Sequence, residues 1–178
     1  MKIIGCFFAV LAFVGIMSCS SVHINDYANE KPALVLEEYL NGTLDSYGIV
    51  QDRSGKVTKR FHCLIKGSWK DGLGTLDEDF TYSDGTKSHR VWTIKKETDK
   101  KYIGTAADVV GEAIGTVEGN ALRWNYVLSL DNDGKNYHLD FDDWMFLMDS
   151  QVMLNKSKMS KYGIYLGEVT LSFHKRDQ

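Results

Sequence analysis

The feature that most constrains this chain is the regular alternation of apolar and polar residues from Gly42 onward. The alternation runs in short segments separated by turns rich in glycine, aspartate and asparagine, such as residues 52–55 and 83–85. A period of two is typical of strands that bury one face and expose the other. Residues 121–130 give the clearest example, with apolar side chains at every second position: Leu122, Trp124, Tyr126, Leu128 and Leu130.

This pattern predicts nine or ten strands and no long helix between them. The predicted strands cover residues 44–50, 57–69, 75–82, 87–95, 101–106, 116–117, 121–130, 136–144, 145–154 and 166–173, while residues 108–115 are less clear. Before them, Leu36, Tyr39 and Leu40 follow a helical spacing and predict a short helical turn that caps or plugs the domain.

Short connections between successive strands favour an antiparallel meander. Because a single sheet of this many strands hides its edges by curling, we predict an all-β fold, an antiparallel up-and-down β-barrel with a short N-terminal helical turn. A barrel of eight or slightly more strands has room for a small ligand. A β-sandwich is the alternative.

The first residues have the pattern of an export signal. An apolar run, residues 3–17, follows Lys2 and is too short to cross a bilayer comfortably. It ends in Ile16-Met17-Ser18-Cys19, which resembles the lipobox of bacterial lipoproteins and predicts lipidation of Cys19. We therefore predict a signal peptide over 1–18, a lipidated N-terminus and polar tether over 19–33, and the barrel domain over 34–178. An ordinary signal peptide or a slender anchor is the alternative.

Ser20 follows the cysteine, whereas aspartate there is the usual signal for retention in the inner membrane, so we expect the protein on the outer membrane, facing the periplasm.

The formal charge of −3 becomes −4 once Lys2 leaves with the signal. Such a chain lacks the basic face that nucleic acid requires. Cys63 would be the only cysteine left in the domain, so no internal disulfide can form.

Candidate ligand contacts lie on two predicted strands. Arg90 shares a strand face with Trp92 and is a candidate contact for a lipid head group, or else a structural ion pair with Glu78 or Asp79. Trp124 and Tyr126 share the apolar face of a later strand. Trp69, Trp92, Trp124 and Trp144 are interpreted first as core residues and secondly as the lining of an apolar cavity.

The densest polar cluster lies in residues 138–144. His138, Asp140 and Asp142 share one strand face, so they form either a polar rim able to bind a metal or move protons, or the wet face of an ordinary strand. His62 and Cys63 are neighbours and point to opposite faces, which rules out a dyad. The sequence has no hydrolase, zinc, phosphate-loop or dinucleotide motif, so we predict no catalytic residues, no metal and no cofactor, and an enzyme is the less favoured class.

Several sequence motifs occur together along the predicted barrel. They include Gly74-Thr75-Leu76-Asp77-Glu78-Asp79-Phe80, Arg90-Val91-Trp92, Gly119-Asn120-Ala121-Leu122-Arg123-Trp124, Asp142-Asp143-Trp144-Met145 and Gly167-Glu168-Val169-Thr170-Leu171. In these motifs the chain resembles the proteobacterial lipoproteins catalogued as domain of unknown function 3833, a family with no assigned activity, and the resemblance implies a connection with lipids. Gly67-Ser68-Trp69 also resembles the Gly-x-Trp signature of lipocalins, although it lies on the second predicted strand.

We therefore expect a membrane-tethered barrel that binds or carries a fatty acid or phospholipid in its cavity. Two alternatives remain at this point: an interaction module of an envelope complex with a solid core, or a lipid-modifying enzyme that uses the carboxylates of residues 140–143.

Overall fold

Ten strands make up most of residues 21–132 and 134–177, the part of the chain that the computed structural model describes. A short 3₁₀ helix, Ile24–Tyr27, and one helical turn, α1 Leu36–Tyr39, precede them. The strands are β1 Gly42–Asp52, β2 Val57–Lys70, β3 Leu73–Tyr82, β4 Lys87–Lys96, β5 Lys101–Thr105, β6 Ala113–Glu118, β7 Ala121–Asn132, β8 Lys135–Leu147, β9 Val152–Lys161 and β10 Ile164–Lys175.

The sheet closes on itself. Each strand pairs antiparallel with the next, and β1 also pairs with β10, so that Gly48 lies opposite Phe61 on one side and Leu171 on the other. Closure removes the unpaired edges that an open sheet of this size would expose. The prediction of an all-β up-and-down barrel is confirmed, and the β-sandwich alternative is wrong.

Most predicted strands match observed ones, with one clear error and one resolved ambiguity. The predicted strand over 145–154 is wrong, because β8 ends at Leu147 and a turn precedes β9. In that turn the carboxylate of Asp149 accepts hydrogen bonds from the backbone N–H groups of Gln151 and Val152, at 2.8 and 2.7 Å. Apolar residues flank this turn on both sides, so their pattern resembles one continuous strand, although the Asp149 side chain stabilises a turn there. Of residues 108–115, the segment that the sequence leaves unclear, 108–110 form a loop that runs beside β7 and 113–115 are the first residues of β6.

One end of the barrel is filled and covered by residues 34–40, which we call the cap. Leu36, Tyr39 and Leu40 of the cap are buried against the ends of the strands. The Tyr39 hydroxyl donates to the backbone carbonyls of Gln151 and Phe173, at 3.1 and 3.2 Å. The predicted capping turn is therefore confirmed, and it joins the core of buried side chains formed by Leu44, Ile65, Leu76, Ile94, Tyr102, Val117, Leu122, Leu147 and Met153.

Gly67 shows how closely the cap approaches the barrel. A Cβ atom added to Gly67 would lie 1.7 Å from the carbonyl oxygen of Leu40, far inside contact distance. Only glycine leaves room for the cap backbone to cross this strand. The Gly67-Ser68-Trp69 motif thus lies at the closed end, on the second of the ten strands.

The described part of the predicted tether, residues 21–33, lies against the outside of the barrel rather than extending away from it. The Tyr27 ring contacts Trp144 and Phe146, with ring centroids 5.9 and 5.1 Å apart. Trp144 is therefore not a core residue as predicted, because it lies on the outer face of β8 beneath this segment.

The predicted signal peptide and Cys19 lie outside the described residues. Neither helix within 21–132 and 134–177 has the length and apolar run that a bilayer crossing requires.

Candidate functional site

The interior beyond the closed end holds a cavity of about 430 Å³. Its lining extends to Val50, Lys59, Tyr82 and Leu130, close to the hairpins at the end of the barrel opposite the cap. The volume falls within the range of about 300–1,000 Å³ that is usual for small-molecule sites. The barrel is thus filled at one end and hollow towards the other.

Aromatic side chains form much of the cavity wall. Trp92 packs edge-on against Trp124 and Tyr126, with ring centroids 5.7 and 5.5 Å away, and Tyr126 stacks on Phe141 at 5.0 Å. Phe61 and Phe80 meet on another part of the wall, at 5.7 Å. The structure places the predicted ligand contacts Trp92, Trp124 and Tyr126 side by side on this lining. An apolar molecule in the cavity would lie against these rings.

Arg90 also lines the cavity, but its guanidinium is already occupied. Its Nε lies 2.9 Å and its Nη2 2.7 Å from one carboxylate oxygen of Asp108. Glu78 is a weaker partner, with 3.9 Å between the closest charged atoms. Asp79, the other predicted partner, faces outward and contacts His89. The strongest partner thus comes from the loop after β5, which strand alternation alone could not connect to Arg90.

Two carboxyl groups that the sequence analysis did not select as site residues line the cavity. Glu78 and Asp143 are only 8% and 7% exposed, and both are part of the cavity lining. Burial raises the pKa of Glu78 to about 7 and the pKa of Asp143 to about 7. Asp143 could have been found by its spacing, because it alternates with the inward-facing Phe141 and Met145.

Several polar atoms at the cavity wall have no hydrogen-bond partner within the described residues. They are Oε2 of Glu78, the side-chain amide oxygen of Asn155, and the hydroxyl oxygen of Ser46. The Ser157 hydroxyl, in contrast, donates a short hydrogen bond to Asp143. Since buried polar groups are normally hydrogen-bonded, the wall has unused capacity for a polar group or for water.

The predicted polar rim lies on the outside of the barrel. Asp142 accepts hydrogen bonds from Arg123 at 2.7 Å and from Asn125 at 2.8 Å on the outer face. His138 and Asp140 are exposed on the same face. Asp143 points to the cavity instead, so the carboxylates of residues 140–143 do not converge. The arrangement required by the enzyme hypothesis is therefore missing from this strand.

The other reactive side chains are also separated by the barrel wall. His62 lies outside, 2.8 Å from Asp45, while the buried Cys63 thiol lines the cavity. Burial raises the pKa of Cys63, which keeps it a poor nucleophile. The one group of potential metal ligands found among the described residues is exposed on the outer wall and consists of Asp77, Asp79 and His89.

The fold and the cavity together define a lipocalin-like barrel: an antiparallel up-and-down sheet, closed at one end and hollow towards the other. The chain belongs to the family described as protein of unknown function (DUF3833), whose model matches residues 13–175. The predicted family resemblance is thus confirmed. No curated protein matches the chain.

Solved structures with similar folds share little sequence with this chain. Rv2717c from M. tuberculosis superposes with a TM-score of 0.60 at 13% identity, covering 84% of this chain and 100% of that one. The S-type phycobiliprotein lyase CPES from Guillardia theta gives 0.54 at 11% identity, covering 82% and 94%. A DUF3598 protein of unknown function from Nostoc punctiforme gives 0.50 at 12% identity, covering 83% and 51%. At these identities the similarity establishes the fold alone.

Proposed function

We propose that this protein binds a small amphiphilic molecule, a lipid or lipid-like compound, inside its barrel. The observation that carries the proposal is the cavity of about 430 Å³ with aromatic walls, in a barrel whose other end is tightly filled. A barrel that served only as a solid support would have no need for such a space. The chemistry of the wall suits a ligand with a large apolar part and a small polar part.

The sequence predicts a fatty acid or phospholipid, and the cavity wall is compatible with an acyl chain. Burial of a chain against Trp92, Trp124 and Phe141 would contribute about 0.8 kcal/mol per methylene group. A barrel of similar fold occurs in an S-type phycobiliprotein lyase.

We further propose that Cys19 carries a lipid anchor and holds the protein on the periplasmic face of the outer membrane. Residues 21–33 pack on the barrel through Tyr27, so little free chain would separate Cys19 from the folded part. In that case the barrel would lie directly beside the bilayer rather than at the end of a long tether. Mass spectrometry of the protein from isolated cell envelopes tests the anchor. The unmodified protein is expected to have the added mass of acyl chains on Cys19, and the Cys19→Ser variant is expected to have none. Absence of acyl mass from the unmodified protein would contradict the proposal.

The test of ligand binding is native mass spectrometry of a protein that starts at Ser21 and is purified without detergent. Residues 21–177 contain the cap and all ten strands, so this protein retains the whole closed barrel. A copurified amphiphile of defined mass, lost on extraction, is the expected result. A bare protein mass that does not change after incubation with envelope lipids would exclude the proposal.

A matched pair of variants links any bound ligand to the cavity. Val169 lines the cavity and the next residue, Thr170, is exposed on the outer face of the same strand. Val169→Trp should fill part of the space and reduce ligand occupancy at least tenfold, whereas Thr170→Trp should leave it unchanged. Equal occupancy in both variants would show that the ligand binds elsewhere.

A further inference from the structure

We propose that the polar end of the ligand is a hydrogen-bond donor, an ammonium or a primary amide, that binds between Glu78, Asp143 and Asn155. This inference rests on the proposed function and specifies which amphiphile the cavity selects. The sequence predicts a fatty acid or phospholipid, whose head group is anionic. The inference instead gives preference to a head group that donates hydrogen bonds.

Among the described residues, Arg90 is the one arginine that lines the cavity. Both carboxylate oxygens of Asp108 lie within 3.1 Å of the Arg90 Nε, and one of them also accepts from Nη2. A bidentate pair of this kind is a strong, geometrically specific interaction. A ligand carboxylate would have to displace Asp108 or accept from the remaining N–H groups of the guanidinium, and Nη1 already lies 3.9 Å from the carboxylate of Glu78, whose charge would oppose it. Arg90 is therefore a poor head-group contact.

Two further carboxyl groups lie at the cavity besides the Arg90–Asp108 pair. Glu78 and Asp143 are both more than nine-tenths buried and both line the cavity. Oε2 of Glu78 has no hydrogen-bond partner among the described residues, and its nearest guanidinium nitrogen is 3.9 Å away. The remaining titratable groups that face them are Cys63, Tyr126 and, near the mouth, Lys59, whose ammonium lies 4.5 Å above the Tyr82 ring. Three carboxyl groups, of Glu78, Asp143 and Asp108, thus share the one guanidinium of Arg90, while Lys59 is paired with Asp84 at 3.5 Å, so the cavity has an excess of acceptors over cations.

Asn155 is the neutral polar side chain beside Asp143. It is 2% exposed, its amide group interacts with the Asp143 carboxyl, and its amide oxygen has no hydrogen-bond partner within the described residues. An amide oxygen and a carboxylate oxygen both accept hydrogen bonds, which matches an ammonium or NH₂ group. A carboxylate, which only accepts, would meet acceptors at Glu78 and Asp143.

The aromatic lining supports the same choice. Trp92, Trp124 and Tyr126 lie on the wall beside these groups, and the faces of aromatic rings attract cations. An ammonium that enters the cavity would therefore meet favourable groups both on the rings and at the carboxylates.

The experiment compares amphiphiles that share one twelve-carbon chain and differ only in the polar end: dodecylamine, dodecanamide, dodecanol and dodecanoate. Binding to the protein from Ser21 onward is measured by quenching or enhancement of tryptophan fluorescence and by native mass spectrometry. The amine and the amide are expected to bind at least tenfold more tightly than dodecanoate at pH 7.5. If all four fail to bind, the proposed function itself fails. If dodecanoate binds as tightly as the amine or more tightly, only the head-group inference is overturned.

Two variants locate the head group. Glu78→Gln and Asp143→Asn remove charge with little change of shape, and each should weaken binding of dodecylamine by about tenfold or more while leaving dodecanol unaffected. Asp79→Asn is the matched control, because Asp79 follows Glu78 on the same strand and lies exposed on the outer face. An equal loss in all three variants, or no loss in either cavity variant, would contradict the assigned site.

The pH dependence gives an independent readout. Because Glu78 and Asp143 ionise near pH 7, the affinity for dodecylamine should rise between pH 6 and pH 8. An amine remains protonated throughout that range. The affinity for dodecanoate should fall over the same range, and parallel curves for the two ligands would argue against the inference.

Discussion

The two ends of this barrel are built from the same ten strands and have opposite interiors. At the closed end, the apolar side chains of the strands interdigitate with Leu36, Tyr39 and Leu40 of the cap, which leaves a filled core. Towards the other end, the strands present aromatic rings, two buried carboxyl groups and an amide to an empty space. The comparison shows that a packed core and a cavity occupy different halves of one sheet.

The largest expected effect is the difference in the free energy of unfolding between two leucine variants, one at each end of the barrel. Leu44 is fully buried in the closed-end core, while Leu128 is 5% exposed and faces the cavity. Leu44→Ala should cost about 3–5 kcal/mol of the free energy of unfolding, because it opens a new void in a packed region. Leu128→Ala should cost less than half as much, since it enlarges a space that already exists. Urea denaturation of both variants measures the difference, and equal costs would mean that the two ends are equally packed.

A second prediction concerns the fit of the cap. In Gly67→Ala the new methyl group would collide with the Leu40 carbonyl, so the cap must move or detach. We expect a loss of about 1–3 kcal/mol. Hydrogen exchange at residues 34–40 should accelerate in this variant and stay normal in Ser68→Ala, its neighbour in β2. Unchanged exchange in Gly67→Ala would show that the closed end does not depend on this contact.

The two buried carboxyl groups of the hollow half should make the stability of the protein depend on pH. Burial raises the pKa of Glu78 and of Asp143 to about 7, so the folded protein binds more protons than the unfolded chain between roughly pH 4 and 7. The free energy of unfolding therefore falls as pH rises through this window and is greatest at its acidic end. We expect the Tm of the unliganded protein to drop by roughly 3–6 °C between pH 5.5 and 7.5.

The double variant E78Q/D143N isolates this effect. It should have a nearly flat Tm over the same range, because neither replacement titrates. A drop as steep as that of the unmodified protein would assign the pH dependence to other groups.

The difference between the two ends also explains which features the sequence could predict. Period-two alternation sets the strands and the inward face, so the barrel and the inward positions of Trp92, Trp124 and Tyr126 follow from it. Alternation says nothing about contacts made by loops, which is why the Asp108 partner of Arg90 was missed. It also cannot tell which part of an inner face is packed and which is hollow, because that depends on where the cap ends.

Errors at the outer surface have a related cause. The prediction that Trp144 is a core residue is wrong, because Trp144 lies on the outer face beneath Tyr27. Trp144 follows Asp142 by two residues on one strand, so alternation places it on the same outer face as that aspartate. The polar composition of residues 19–33 predicts a tether. Composition alone does not reveal that Tyr27 of this segment contacts β8.

The smallest expected effect comes from two consecutive aspartates. Asp142 pairs with Arg123 on the outer face, where about a third of each side chain is exposed, and hydrogen bonds from Arg123 and Asn125 outweigh partial burial and lower its pKa. Because solvent screens such pairs, Asp142→Asn should change the free energy of unfolding by less than about 1 kcal/mol and leave ligand binding unchanged. Asp143→Asn, one residue further on and inside the barrel, should change ligand affinity and the pH dependence of Tm. Measuring both variants by thermal unfolding and by dodecylamine binding separates the outer wall from the cavity, and a loss of binding in Asp142→Asn would mean that the polar rim takes part in the site after all.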